Sequence, residues 1–248
     1  MLRTLRALLV LILLQAALAS NSFSWGPYTV TVEHYRDEGG LEMQRLLLVR
    51  DGKETVLAED YLINVELAEL TGAKPPELIA RAYSGGAHCC NTVSIFALQD
   101  GEVVTLSSHD WGNGGLAQIR DSDGDGKAEL TMVHSYAYVD GLCYACSPAV
   151  WRTYVWENGL FVEATRRYPG PTQEAMEHAF TALREALESG GNSALELIGH
   201  AATYWINAYA LGRGSEARAR LAKCVPPEVM RWLERSRIEL LRPFSALP

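Results

Sequence analysis

The sequence is short of positive charge and of long apolar runs. Its 22 lysines and arginines are outnumbered by 30 aspartates and glutamates, leaving a net charge of −8. A surface with that bias repels polyanions, which argues against nucleic acid or an anionic membrane as a partner. Beyond the first residues, no segment approaches the ~18 unbroken apolar residues of a membrane-spanning helix. No Gly-x-Ser-x-Gly, His-Glu-x-x-His or glycine-rich phosphate loop occurs, so the common hydrolase, zinc-protease and nucleotide-binding signatures are missing. Cysteine is sparse, at five residues.

What is present begins with an export signal. Arg3 and Arg6 form a basic start, Ala7 to Leu14 an apolar core, and Ala17-Leu18-Ala19 a small-residue cleavage pattern. The expectation is a signal peptide over 1–19 and a soluble, secreted or periplasmic chain beginning at Ser20. No cysteine follows the cleavage pattern, which speaks against a lipid anchor there. In an oxidising compartment the five cysteines are expected to form disulfides.

Residues 20–168 carry β patterning. Tyr28 to Val32 alternates polar and apolar side chains, as a half-buried strand does. Three apolar pairs of segments flank Asp51-Gly52, Asp100-Gly101 and Asn158-Gly159, dipeptides that tolerate the positive φ of a tight hairpin. The regular recurrence of these hairpins marks an internal repeat, with units at about 25–61, 62–110 and 115–166. Glu69 to Leu78 also aligns with Asp121 to Leu130, and each stretch is followed by a strand, a cysteine-bearing loop and a hairpin. Each unit is four strands long, the size of a propeller blade. From Pro169 the pattern turns helical. Met176, Phe180, Leu183 and Leu187 share one face, with Thr172 as the candidate cap; Ser193 and Glu196 form a capping box for the next helix. A short helix over Ser215 to Cys224 and a last one after Pro226-Pro227 complete a C-terminal helical unit, 169–248. The expected fold class is therefore mainly β, with antiparallel blade-like repeats followed by a small α-helical unit.

The strongest chemical signal is Asp121-Ser122-Asp123-Gly124-Asp125-Gly126-Lys127-Ala128-Glu129. Alternating oxygen ligands around a glycine bend suit Ca2+, a hard cation that takes about six to eight oxygens. Asp121, Asp123, Asp125 and Glu129 are the candidate side-chain ligands, with the Lys127 carbonyl as a further donor. An EF-hand would need its bidentate Glu where Met132 stands. A carboxylate at the ninth position, with strands on both sides, instead resembles the calcium loops of FG-GAP and VCBS-type repeats, the integrin-like propeller blades. That resemblance spans residues 62–166 and implies a structural Ca2+. The upstream copy has Thr71, Ala73 and Pro75 in place of ligands and is not expected to bind metal.

Tyr83-Ser84-Gly85-Gly86-Ala87-His88-Cys89-Cys90, together with the loop downstream, resembles a family of bacterial exported proteins of unassigned function. Cys89 and Cys90 fall in the loop equivalent to that of Cys143 and Cys146 in the next repeat. Equivalent loops of neighbouring blades lie on one face, so two bridges between the pairs are expected. The alternatives are a zinc site of these four cysteines with His88 nearby, a redox-active Cys143-Tyr-Ala-Cys146, and a vicinal Cys89–Cys90 bridge. Cys224 reads as a buried free thiol. His88, His109 and His134 lie in the β region, and Asp110 with Asp140 could be imagined as a glycosidase pair. Ala202 to Leu221 resembles a tetratricopeptide-type helix pair.

Together these observations point to an exported, non-enzymatic, calcium-stabilised β-repeat protein. It would act as a binding or envelope-scaffold module for a protein or glycan. An extracytoplasmic thiol-disulfide or hydrolytic enzyme is the alternative.

Overall fold

The computed structural model describes residues 22–86, 89–190 and 193–241. The signal peptide read at 1–19 lies outside the described residues, as do His88 and the side chain of Cys89. Among the described residues, twelve strands form three four-stranded antiparallel meanders, each in simple sequence order. The first sheet contains β1 (Ser22–Trp25), β2 (Tyr28–Arg36), β3 (Glu42–Arg50) and β4 (Lys53–Asp60). The second contains β5 (Leu62–Ala68), β6 (Glu77–Gly86), β7 (Cys89–Gln99) and β8 (Glu102–Asp110). The third contains β9 (Gly115–Arg120), β10 (Glu129–Ser135), β11 (Ala149–Glu157) and β12 (Leu160–Glu163).

Each sheet closes its third strand on its fourth through the same turn. Asp51-Gly52, Asp100-Gly101 and Asn158-Gly159 all have positive φ at both residues, between 52° and 83°. That is the twist-compatible two-residue hairpin such dipeptides favour. The first two sheets also share a register shift one turn further in, between Leu46 and Leu47 and between Ile95 and Phe96.

Among the described residues the sheets stack face to face without closing into a barrel or propeller. Alternation along β6 shows why the middle sheet reads as nearly continuous apolar sequence. Leu78, Ala80 and Ala82 pack against Val30, Leu46 and Leu48 of the first sheet. Ile79, between them, joins Val93 and Ile95 against Leu130, Met132 and Tyr154 of the third. A strand buried on both faces has no polar side to show.

An open stack must finish at each end. The first sheet finishes with polar side chains: Glu33, Arg45 and Glu59 lie side by side across three strands, with Arg45 bonded to Glu59 at 2.5 Å and set 4.4 Å over the Tyr35 ring. The third sheet finishes under helices α1 (Gly170–Ser189), α2 (Ala194–Ala210), α3 (Gly214–Leu221), α4 (Pro227–Arg235) and α5 (Arg237–Leu240). Met176, Leu183, Ile198, Trp205, Leu221 and Leu233 form their core, which takes in Val150 of β11. Ser193 and Glu196 make the expected capping box of α2. Thr172 does not cap α1, which starts at Gly170 after Pro169; its hydroxyl is turned to the sheet. The last helix breaks at Ser236. No helix among the described residues is long and apolar enough to cross a membrane.

The helices are held by an unpaired strand edge. β12 has 4 residues where β4 has 8 and β8 has 9, so it pairs only with Tyr154 to Glu157 of β11. Side chains from the helical region satisfy the backbone left over. Asn207 accepts from the Trp151 N–H (3.0 Å) and donates to the Ala149 carbonyl (2.9 Å). Thr172 donates to the Trp151 carbonyl (2.8 Å), and Thr165 accepts from the Thr153 N–H (3.1 Å).

The loop from β10 to β11 is docked on the same helices. The Asp140 carbonyl accepts from the Trp232 indole, and its carboxylate accepts from Arg235 and Ser236. Cys143 and Cys146 form a disulfide with each other, with Cα atoms 5.2 Å apart. The expected bridges to the Cys89/Cys90 pair are therefore corrected. Gly86 pairs with Cys89 in a tight β6–β7 hairpin, which keeps those cysteines on the second sheet. Cys146, by contrast, is folded down onto α2, where a Cβ on Gly199 would come within 2.3 Å of its carbonyl oxygen. Cys90 is itself disulfide-bonded. Cys224 is free as expected, but exposed rather than buried.

The strand-edge contact makes a direct prediction. Asn207→Ala leaves two partly buried backbone groups without their side-chain partner and is expected to lower unfolding free energy by about 1–3 kcal/mol. Denaturant unfolding measures the loss, and hydrogen exchange should speed up at the Trp151 amide.

Candidate metal centre

The Asp121–Glu129 loop joins β9 to β10 at one end of the third sheet, and its shape is set by its own carboxylates. Asp121 accepts from the Gly124 N–H (2.7 Å) and the Gly126 N–H (3.0 Å). Asp123 accepts from Asp125 N–H (3.2 Å), and Asp125 from Lys127 N–H (2.7 Å). Gly124 and Gly126 have φ of 77° and 87°, which lets the chain turn twice within this span. These bonds draw carboxylate oxygens of Asp121, Asp123 and Asp125 to within 4.8 Å of one another, all exposed. Each oxygen has a second lone pair, so the backbone bonds leave acceptor capacity for a cation.

Glu129 is placed differently. It is buried at the start of β10, and one oxygen accepts from the Ser122 N–H at 2.8 Å. It clasps the loop rather than joining the exposed group of three. The Lys127 side chain lies along Gly72 of the preceding sheet.

The aligned loop of the second sheet makes the comparison concrete. Glu77 stands where Glu129 stands, is fully buried, and accepts from the Leu70 N–H at 2.7 Å, as Glu129 does from Ser122. Thr71 replaces Asp123 and accepts from the Ala73 N–H (3.1 Å), the counterpart of the Asp125 N–H. Lys74 forms an ion pair with Glu69, the counterpart of Asp121. The second loop therefore carries its own cation, and the third carries three clustered carboxylates. The two loops also touch, since the Ala128 N–H donates to the Glu69 carbonyl at 2.7 Å.

One partner of the cluster had no sequence signal. Tyr168, in the segment leading to α1, donates its hydroxyl to Asp123 at 2.7 Å. The Tyr168 bond holds the Asp123 carboxyl below its ordinary range, and the same bond, with some burial, pushes the Tyr168 hydroxyl up to about 12. Arg167, whose guanidinium lies 5.2 Å from the Tyr168 ring, favours the Asp123 charge as well.

The remaining candidates are occupied with structure. His134 is buried between the second and third sheets, 2.8 Å from the Tyr154 hydroxyl and edge-on to Trp111, which also meets His109. Burial first, then Arg152 and His109, push its imidazole down to about 3, so it is neutral at ordinary pH. Asp110 accepts from the Gly112 N–H in a turn, and Asp140 anchors α4 through Arg235 and Ser236. These two acids serve different loops.

Comparison with known proteins adds one relative. The chain is 27% identical over 144 residues to a probable thylakoid lumen protein of Synechocystis sp.. The match covers 57% of this chain and 39% of the relative, so the chain spans well under half of that protein's length. No family model matches, and no solved structure matches.

Two titrations check these environments. In Tyr168→Phe the Asp123 carboxyl is expected to titrate at higher pH than in the wild type, read by NMR of its side-chain carbon; an unmoved midpoint would contradict the assigned bond. His134 is neutral when folded and takes up a proton when unfolded below about pH 6.5, so its burial contributes fully above that pH. The contribution is lost as pH falls from 6.5 toward 3, at a rate approaching about 1.4 kcal/mol per pH unit. Stability measured between about pH 7 and 5 should therefore fall more steeply for the wild type than for His134→Gln.

Proposed function

We propose that the chain is an exported, non-enzymatic binding or scaffold module whose third sheet is stabilised by Ca2+ at the Asp121–Glu129 loop. Asp121, Asp123 and Asp125 are the first ligands, and the Lys127 carbonyl and Glu129 are the loop's remaining donors. The observation that carries this reading is the clustering of the three carboxylates in a loop whose sister keeps the same clasp without them. Because the Glu77 loop forms with two glutamates, a threonine and a lysine, the three aspartates are not required to shape such a loop. Their mutual repulsion is relieved by a divalent ion, and oxygen donors of this kind select a hard one. When bound, Ca2+ supplies charge neutralisation and cross-links the ends of β9 and β10. Binding energy then becomes folding energy.

Export is supported by the Arg3-to-Ala19 pattern and by the relative whose name places it in a thylakoid lumen, another extracytoplasmic space. The disulfide at Cys143–Cys146 fits an oxidising compartment. A stack of sheets with a polar end and a helical end leaves its faces and clefts free to bind protein or glycan.

Thermal unfolding in calcium and in excess chelator tests the metal. Calcium at about 100 times its dissociation constant is expected to add about 2.7 kcal/mol, or roughly 5–10 °C in Tm. Asp121→Ala and Asp125→Ala should each remove most of that difference. Coincident melting curves in calcium and chelator would reject the proposal.

A further inference from the structure

The helices do not cover the outer face of the third sheet completely. Between that face and α1 and α2 lies a cleft of about 580 Å3, within the roughly 300–1,000 Å3 range of small-ligand sites. Its floor is the half-buried Trp151 of β11 beside the buried Thr131 of β10. Gln118 of β9 and His200 of α2 flank them, and Glu174 and His178 stand exposed on the α1 rim.

The floor is rigid. The Trp151 backbone is bonded on one side to Asn207 and Thr172 and sits on the other in the β10–β11 ladder, so the indole is carried by a fixed strand. The polar groups around it are an amide, two hydroxyls and two imidazoles, with the Glu174 carboxylate at the rim. Burial holds His200 below its ordinary range, with Glu196 opposing the effect and His178 adding to it. No lysine or arginine lines the cleft among the described residues, and its one acid is Glu174.

This chemistry narrows the ligand. An anion would face Glu174 and an acidic protein with no cationic side chain to receive it. A wholly apolar ligand would dehydrate the half-exposed Gln118 amide without replacing its hydrogen bonds. A sugar ring meets both demands, since its C–H face stacks on indole and its hydroxyls give and accept hydrogen bonds at the edge. The volume suits a short oligomer better than a single ring. We infer that this cleft binds a neutral oligosaccharide, stacked on Trp151 and hydrogen-bonded by Gln118, Thr131 and His200. The inference rests on the binding-module reading above and is independent of its calcium element.

Calorimetric titration of the whole protein with cellotetraose and with chitotetraose, each to about 10 mM, is the test. Saturable binding of at least one is expected, weakened about tenfold or more by Trp151→Ala and by Gln118→Ala. Gln118→Ala alters a half-exposed side chain and keeps the test in force if Trp151→Ala does not fold. Trigalacturonic acid is expected to bind about tenfold more weakly than the neutral sugar, with the gap narrowing in Glu174→Gln. No binding of either neutral sugar, binding that survives both alanine variants, or equal binding of the acidic sugar would overturn the inference. The sugar titrations are run in calcium and in chelator, while calcium stabilisation is read by melting without sugar. Failure of the cleft and failure of the metal loop are thereby told apart.

Discussion

The exposed edge of β11 is the constraint on which the architecture turns. In the first two sheets the fourth strand runs nearly the length of the third, and the ladder completes itself. In the third sheet β12 stops after four residues, and the N-terminal half of β11 has backbone donors and acceptors facing away from β10. Buried amides and carbonyls without partners are costly, at about 1–3 kcal/mol each. Thr165, Thr172 and Asn207 replace the missing strand with side-chain hydrogen bonds at alternate residues. The helical unit is therefore a completion of the sheet as well as a cover for it. The same logic explains an open stack: one terminal sheet ends in charged side chains, the other in helices, and neither face calls for a further sheet.

A second regularity lies in the two β1-to-β2-type loops of the second and third sheets. Glu77 and Glu129 are buried carboxylates doing the same work, each accepting from the N–H of the loop's second residue. Around that shared clasp the charge differs. The second loop neutralises Glu69 with Lys74, a cation belonging to the chain. The third loop clusters three aspartates and places its lysine side chain against Gly72 of the neighbouring loop. The contrast separates the part of the motif that builds the turn from the part that gathers negative charge.

Much of the fold was legible in the sequence because its signals are local. Asp51-Gly52, Asp100-Gly101 and Asn158-Gly159 favour two-residue hairpins between apolar segments, so the mainly β, antiparallel class follows. Ser193 and Glu196 cap α2 for a similarly local reason. What was not legible depended on contacts distant in sequence. Thr172 has the composition of a helix cap, yet the β11 edge claims its hydroxyl. Tyr168 carries no motif, and only the chain's return past the loop brings its hydroxyl to Asp123. The cysteine pairing assumed that equivalent loops stay equivalent. The loop of the third sheet is instead pulled onto α2 and α4 by Asp140 and by the close approach at Gly199, and its cysteines close on each other.

The carboxylate loop and the sheet's outer face are mechanically continuous. Arg120 pairs with Glu129, and Gln118 with Thr131, so the strands that leave the loop carry side chains of the cleft floor within one alternation. A chain of polar contacts runs beside them. Asp123 receives the Tyr168 hydroxyl, the Tyr168 carbonyl accepts from the Thr153 hydroxyl, and Thr153 lies 3.5 Å from the Thr131 hydroxyl. The segment holding Tyr168 is the one that enters α1. A loop that looks peripheral in the sequence is thereby connected to the junction between the sheet and its helices.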